Sequence, residues 1–406
     1  MSQLNVVKNA VSPDQIYYDV TVTNFASTTT VPPILYYNEQ RVMPFISCPE
    51  DYYLTIERFT METSTLPVFI PSIQPFPGNS DVNKTIYSVT LEVTNGFGTY
   101  TKQQFIEWIP QDKSIAVPPF GANGLQIVET GYYNCYSYTW FCYLVTQALD
   151  QAFIALDALV IAGGGTLPSL YSPILYWDTT SNCAIIYADV LGYDQNPQNP
   201  LVATHIKVYM NAPLFALFNT FPAEYLGYTG VLNGKNFALA IVNVGSTNLQ
   251  VITPADQPPP VPPATYITWD AIVLYQEVST VPQWTPITSV VFVSNTLPIQ
   301  ANQVSTPLIY NDNKQLSFGG QNADIANIIT DLVSDTGEYR PNLVYHPTAE
   351  FRRITLYGNR PLYNIDLQIF YRIKTGALIP YRIGSGEAIT IKLAFLKKDT
   401  ARKVYN

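Results

Sequence analysis

The 406-residue sequence carries 30 acidic and 21 basic side chains, a formal charge of −9, and only 13% of its residues are charged. That is about half the charged fraction of an average soluble domain, while 30 Tyr and 32 Pro are abundant. The length allows two or three domains, and four cysteines in so long a chain exclude a small scaffold stapled by disulfides.

Low surface charge with abundant Tyr suits a surface covered by neighbours, because aromatic residues are enriched in interfaces and Lys and Glu are depleted. The composition therefore predicts an assembling protein. Cys48, Cys135, Cys142 and Cys183 show no CxxC spacing and are expected to be reduced and buried. Residues 1–14 lack a basic segment followed by an apolar run, so no secretory signal is expected and folding is placed in a cytosol or nucleus.

Taken in order, residues 16–23, 34–37, 52–59, 66–70 and 85–93 read as short strands punctuated by Pro, Gly, Asn or Asp. Prolines at both ends confine 66–71 to an edge or a loop. A different period follows. Phe141, Leu144, Val145, Ala148, Leu149, Ala152, Phe153 and Leu156 share one face of a long helix, which Gly163, Gly164 and Gly165 stop. Its length approaches that of a membrane span, but Gln147, Asp150, Gln151 and Asp157 are costly in lipid, so packing on a β core is expected. Strands resume at 173–177, 184–190, 206–210, 237–244, 266–278 and 287–293. Residues 255–263 hold five prolines and read as a stiff extended connection. Ile325, Ile328, Ile329 and Leu332 predict a short amphipathic helix.

The last seventy residues alternate most clearly. Ile365, Leu367, Ile369, Tyr371 and Ile373 are apolar against Asp366, Gln368, Arg372 and Lys374, and Ile389, Ile391, Leu393 and Phe395 repeat the pattern. From residue 337 onward twelve cations stand against five acids, about +7, so the remainder carries about −16. Such asymmetry suggests an acidic partner at this end, and it is equally the pattern of a solvated sheet face with a charged tail.

No catalytic spacing emerges. His205 and His346 stand alone, and neither HExxH, a GxSxG elbow nor a phosphate-cradling glycine loop occurs, so no metal, cofactor or enzymatic activity is expected. Trp177, Trp269 and Trp284 are candidates for stacking on sugar rings if exposed; core or interface positions are the alternative.

The stretches Tyr345-His346-Pro347-Thr348-Ala349-Glu350-Phe351-Arg352, Gly358-Asn359-Arg360-Pro361-Leu362 and Ile391-Lys392-Leu393-Ala394-Phe395-Leu396-Lys397-Lys398 resemble minor capsid (penton) proteins of virophages and polinton-like viruses. Residues 86–90 and 132–138 are similar to the N-terminal half of such proteins. The resemblance implies antiparallel jelly rolls, five-fold assembly at icosahedral vertices and no catalysis.

The combined expectation is an all-β protein of antiparallel jelly-roll sandwiches, with two β-rich bodies and one long amphipathic helix. Residues 1–120 form an N-terminal β-sandwich region, 121–165 a connector with the helix, and 166–406 a C-terminal jelly-roll region with a basic tail. One jelly roll with an insertion and two jelly rolls both fit the length. The expected role is the pentameric vertex protein of a virion, with neighbouring capsid proteins as partners. A double jelly-roll major capsid protein forming trimers and a sugar-binding attachment protein are the alternatives. Lys397, Lys398, Arg402 and Lys403 are expected to leave the final strand as a mobile arm that contacts the genome nonspecifically or an acidic shell partner.

Overall fold

The computed structural model describes residues 13–25, 33–121, 124–199, 204–253, 268–299, 309–311, 315–317, 328–333, 342–345, 353–374, 376 and 378–398. The chain divides into two compact units, Met1–Leu66 with Pro286–Asn406, and Pro67–Thr285. The second unit is an insertion in the sequence of the first.

The first unit begins with β1 (Gln15–Thr23), β2 (Tyr36–Gln40) and β3 (Tyr52–Glu62). The insertion contributes β4 (Lys84–Asn95), β5 (Gly98–Glu107), α1 (Tyr138–Ala162), β6 (Ile174–Asp178), β7 (Cys183–Asp189), α2 (Val190–Tyr193) and β8 (Ile206–Met210). It continues with α3 (Ala212–Leu217), β9 (Ala223–Tyr225), β10 (Phe237–Leu239), β11 (Leu249–Ile252), β12 (Trp269–Tyr275) and α4 (Val281–Trp284). The first unit resumes with β13 (Ile287–Val293), a hairpin of β14 (Ile309–Asn311) and β15 (Gln315–Ser317), then β16 (Ile328–Leu332) and β17 (Asn342–Tyr345). It ends with β18 (Ile354–Thr355), β19 (Asn364–Ile373), β20 (Leu378–Pro380) and β21 (Ala388–Lys397).

In the first unit one sheet has the order β1-β21-β3-β17, with β18 added on β3, and the other β16-β13-β19-β2, with β20 added on β19. Numbering the eight principal strands along the chain, the first sheet holds strands one, eight, three and six, and the second holds five, four, seven and two. That interleaving of antiparallel strands is a jelly roll. Period-two alternation sets its register. Val20 lies opposite Ile391, which lies opposite Phe59, so one apolar row crosses three strands. These residues share a core with Leu367 and Ile369 of β19 and Phe292 of β13. The rings of Phe59 and Phe292 meet edge to face at 4.8 Å and join the two sheets.

The insertion holds a five-stranded sheet, β5-β4-β8-β10-β9, and a four-stranded sheet, β11-β12-β7-β6, neither in jelly-roll order. One jelly roll with an insertion between its third and fourth strands is therefore the architecture, and the double jelly roll is set aside. The unit boundaries also differ from the sequence division at 120 and 165. Pairing of β1 with β21 and of β2 with β19 unites the two ends of the chain, which local sequence does not disclose.

Helix α1 forms where the three-four spacing predicts, and Phe141, Leu144, Val145, Ala148, Leu149, Ala152, Phe153 and Leu156 are all buried. They share a core with Val89, Leu91 and Val93 of β4, Ile106 of β5 and Leu175 of β6. The helix is long and apolar enough to cross a membrane by length and composition, yet this stripe is taken up inside the protein. The Thr146 hydroxyl donates to the Leu175 carbonyl (2.9 Å) and accepts from the Leu175 N–H (3.0 Å), which ties α1 to the open edge of β6. Position 163 takes glycine because a Cβ there would stand 1.9 Å from the Tyr100 hydroxyl, and Gly164, at φ +83°, turns the chain out of the helix. Replacing Phe153 by Ala is expected to cost about 3 kcal/mol, the low end for a buried Phe because the residue remains 9% exposed. An unchanged melting temperature would contradict this packing.

The predicted helix over 325–332 is a strand. Residues 328–332 form β16, paired with β13 so that Leu332 faces Val290, and Ile325 lies outside the described residues. The predicted strand 237–244 is only three residues long, as β10. The proline-rich segment lies outside the described residues.

Candidate assembly surfaces

Lys397 is the last residue of β21, opposite Tyr52, and its backbone N–H donates to the Asp14 carbonyl at 2.8 Å. Lys398 turns back onto the sheet, where Nζ donates to the Glu50 carbonyl and stands 5.4 Å from the Tyr53 ring centroid. Neither lysine leaves the strand as an arm, because these backbone and ring contacts hold them at the sheet end. Arg402 and Lys403 lie outside the described residues, as does His346.

Several other cations of the jelly roll have local partners. Lys392 Nζ lies 4.4 Å from the Tyr17 ring centroid, and Arg58 and Arg372 approach Asp19 and Asp331 at 3.8 and 3.9 Å. Arg41 Nε donates to Glu39 at 3.0 Å. Hydrogen bonds from the Tyr18 and Tyr37 hydroxyls, together with Arg41, hold the Glu39 carboxyl down to about 2.

The two units differ in charge. The insertion carries five lysines, no arginine and fourteen acids, a formal −9 that equals the net charge of the whole chain. The jelly-roll unit is balanced, with sixteen cations and sixteen acids. The cationic C-terminal residues are thus offset by acids elsewhere in the same unit.

The described residues offer little for catalysis. No group of three His, Cys, Asp or Glu stands close enough to hold a metal among them. Burial, reinforced by Lys207, lowers the pKa of His205, which precedes β8. All four thiols are unpaired, but only Cys135 and Cys142 are buried; Cys48 and Cys183 are half-buried. Burial pushes the Cys135 thiol up to about 12 and Cys142 well above the ordinary value, which makes both inert at neutral pH.

Sugar stacking fails at the three tryptophans. Trp177, Trp269 and Trp284 are all buried, Trp284 at the centre of an aromatic cluster with Phe69, Tyr138, Phe141, Trp177 and Phe218. What the insertion does expose is apolar side chains that the sequence reading passed over: Tyr225, Leu226, Tyr228, Val231 and Leu232 between β9 and β10, and Ile154, Leu159 and Ile161 on α1. The only sequence signal for the first group is a run of ten uncharged residues from Tyr225 to Gly234.

Comparison with known proteins agrees with this architecture. A family model described as Sputnik minor capsid protein V18/19 matches residues 16–397. Two Sputnik virophage proteins are similar to parts of the chain. The uncharacterized protein V18 is 33% identical over 163 residues, 39% of this chain and 95% of that protein. The structural protein V19 is 27% identical over 233 residues, 56% of this chain and 95% of that protein. Among solved structures, a chain of the Sputnik virophage by cryo-EM has a TM-score of 0.74 and 27% identity, covering 96% of this chain and 99% of that one. The mavirus penton protein shares the fold, with a TM-score of 0.58 at 12% identity, covering 95% and 99%. With nearly the whole length matched by one family model, the chain belongs to the Sputnik minor capsid protein V18/19 family of viral capsid structural proteins.

Proposed function

We propose that this capsid protein forms the vertex of an icosahedral shell, five copies closing a ring, and that it acts without catalysis. The observation that carries the reading is a single jelly roll interrupted between its third and fourth strands, in a chain whose fold matches a penton protein over nearly its full length. Trimers of a double jelly roll need a second jelly roll, which the insertion is not. Native mass measurement of the assembled protein is expected to give five subunits; three would overturn the reading. A panel of hydrolase substrates is expected to read at background. Turnover lost in His205→Ala or His346→Ala would oppose the non-enzymatic assignment.

Charge supports an orientation in the shell. The insertion, at −9 and without arginine, repels a polyanion, so genome contacts fall to the jelly-roll unit, whose C-terminal segment holds Lys397, Lys398, Arg402 and Lys403. Unpaired thiols suit production in the reducing cytoplasm or nucleus of a host. Changing all four cations to Gln is expected to flatten the dependence of log affinity for duplex DNA on log salt by about 3 to 4, at about 0.9 per phosphate contact. Unchanged DNA retention with reduced particle yield would move these residues to a contact with another shell protein. No change in either would leave them solvated charge.

A further inference from the structure

The chain carries four methionines and four cysteines, and the fold treats their sulfur atoms unequally. Met61 on β3 and Met210 on β8 are fully buried, one in the core of each unit. Met43 is 77% exposed, the only exposed methionine among the described residues, and its neighbour Val42 is 97% exposed. Met1 lies outside the described residues. Val42 and Met43 form the tip of the connection from β2 to β3, and the chain on both sides of them is held. The Arg41 N–H donates to the Tyr363 carbonyl at 2.7 Å, and the Phe45 N–H to the Leu362 carbonyl at 3.0 Å. The Phe45 ring packs against Tyr18 and Phe395, with centroids 5.5 and 5.7 Å away. The Arg41 guanidinium lies 5.1 Å from the Tyr18 ring centroid and bonds Glu39. Pro44, with its φ fixed by the ring, leaves little freedom between Met43 and Phe45. Exposure of Met43 therefore belongs to the native fold and needs no local unfolding.

The thiols, ordinarily the first targets of an oxidant, are poorly placed by comparison. A thiol attacks a peroxide as its thiolate. Burial holds Cys135 and Cys142 protonated at neutral pH. Cys48, in the same connection as Met43, is half-buried and directs its Sγ–H at Glu50 Oε1 (3.7 Å); burial, with the charges of Asp51 and Glu50, raises its pKa. Cys183 is half-buried, with its Sγ–H on the Ser181 carbonyl at 3.5 Å. A thioether has no proton to lose and reacts as it stands.

We propose that Met43 is a modification site for peroxides, which oxidise its thioether to the sulfoxide on the folded protein. The sulfur lone pair attacks one peroxide oxygen, so that an S–O bond forms as the O–O bond breaks. Sulfur gives up two electrons, and with hydrogen peroxide the second oxygen leaves as water carrying both peroxide protons. The product replaces a flexible apolar side chain with a polar one, so the tip of the β2–β3 connection changes from apolar to polar while both cores stay intact. Methionine sulfoxide reductases reverse the step.

The test treats the full-length chain with dilute hydrogen peroxide at about pH 6 and about pH 8, and follows oxygen uptake residue by residue through peptide mass mapping. Met43 is expected to gain one oxygen at least about tenfold faster than Met61 and Met210, at the same rate at both pH values. In protein unfolded by guanidinium the three should react at similar rates, which shows that the fold makes the difference. Met43→Leu is expected to abolish the fast uptake, and a methionine sulfoxide reductase to return the oxidised protein to its original mass. Oxidised and untreated protein should melt at the same temperature. Uptake at Met43 no faster than at Met61 and Met210 would overturn the proposal, as would Met43 reacting about tenfold more slowly in the folded than in the unfolded chain. Oxidation that begins at Cys48 or Cys183 and accelerates with pH would overturn it too, by making a thiol the site. A melting temperature lowered by oxidation of Met43 alone would place the side chain in packing contacts and equally defeat it.

Discussion

Trp284→Ala is expected to be the most damaging single change in the insertion, lowering its stability by about 5 kcal/mol, the upper end for removal of a buried aromatic. Trp284 is 1% exposed, and five rings meet it with centroids between 5.1 and 5.8 Å, all edge to face, three at interplanar angles of 82–88° and two at 65–66°. Its Nε1 donates to the Leu217 carbonyl at 3.0 Å, so truncation opens a cavity and removes one of that carbonyl's two donors, leaving the Thr280 hydroxyl at 2.7 Å. For a unit of this size the loss corresponds to about 10–20 °C in melting temperature. Trp284→Phe keeps most of the volume and is expected to recover more than half of the shift. A calorimetric scan in which Trp284→Ala leaves every transition in place would refute the assignment of this ring as the centre of the core.

Asp366→Ala is expected to do comparable harm to the jelly roll, about 3 to 5 kcal/mol, because it removes the acceptor of a buried hydrogen-bond set. Asp366 sits in β19 at 1% exposure, where alternation would place a solvent-facing residue. Its carboxylate accepts from the hydroxyls of Ser294 and Thr296 (both 2.7 Å) and from the backbone N–H groups of Asn295 (2.9 Å) and Thr296 (2.8 Å). It thereby closes the turn that follows β13 onto its neighbour β19. Burial pushes the carboxyl pKa up, but these hydrogen bonds outweigh it and hold the group below the ordinary aspartate value. A carboxylate lowered on folding stabilises above its unfolded pKa of about 3.9 and loses that contribution as pH falls through the folded value. The deficit of Asp366→Ala relative to wild type should therefore be full at pH 7 and shrink below about pH 4. Asp366→Asn, which keeps the oxygen that accepts most of the donors, should cost less. A deficit that does not vary with pH would contradict an ionised Asp366.

The long strands and the helix are legible because their periods run over many residues. Ile389, Ile391, Leu393 and Phe395 alternate through β21, and eight apolar residues from Phe141 to Leu156 hold one helical face. Shorter segments are not. Ile328, Ile329 and Leu332 carry helical spacing, yet pairing of Ile328 with Val293 and Leu332 with Val290 on β13 makes the segment a strand, since backbone hydrogen bonding to a neighbour outweighs a weak local preference. The cationic end was legible as composition only. Lys397 and Lys398 belong to a sheet end because Asp14 and Glu50, far away in sequence, supply their partners.

By itself the sequence determined a β-rich protein with one core helix and a charge imbalance, since alternation, spacing and charge are local properties of neighbouring residues, while the capsid role entered only through resemblance. Tertiary structure alone decided that β1 pairs with β21 across nearly the whole chain, so that Pro67–Thr285 interrupts one jelly roll rather than founding a second. It alone decided that three tryptophans are core while a run of tyrosine, leucine and valine between β9 and β10 is surface. The physical reason is common to both: burial and strand partnership depend on what lies across a sheet, and a residue's sequence neighbours do not specify that.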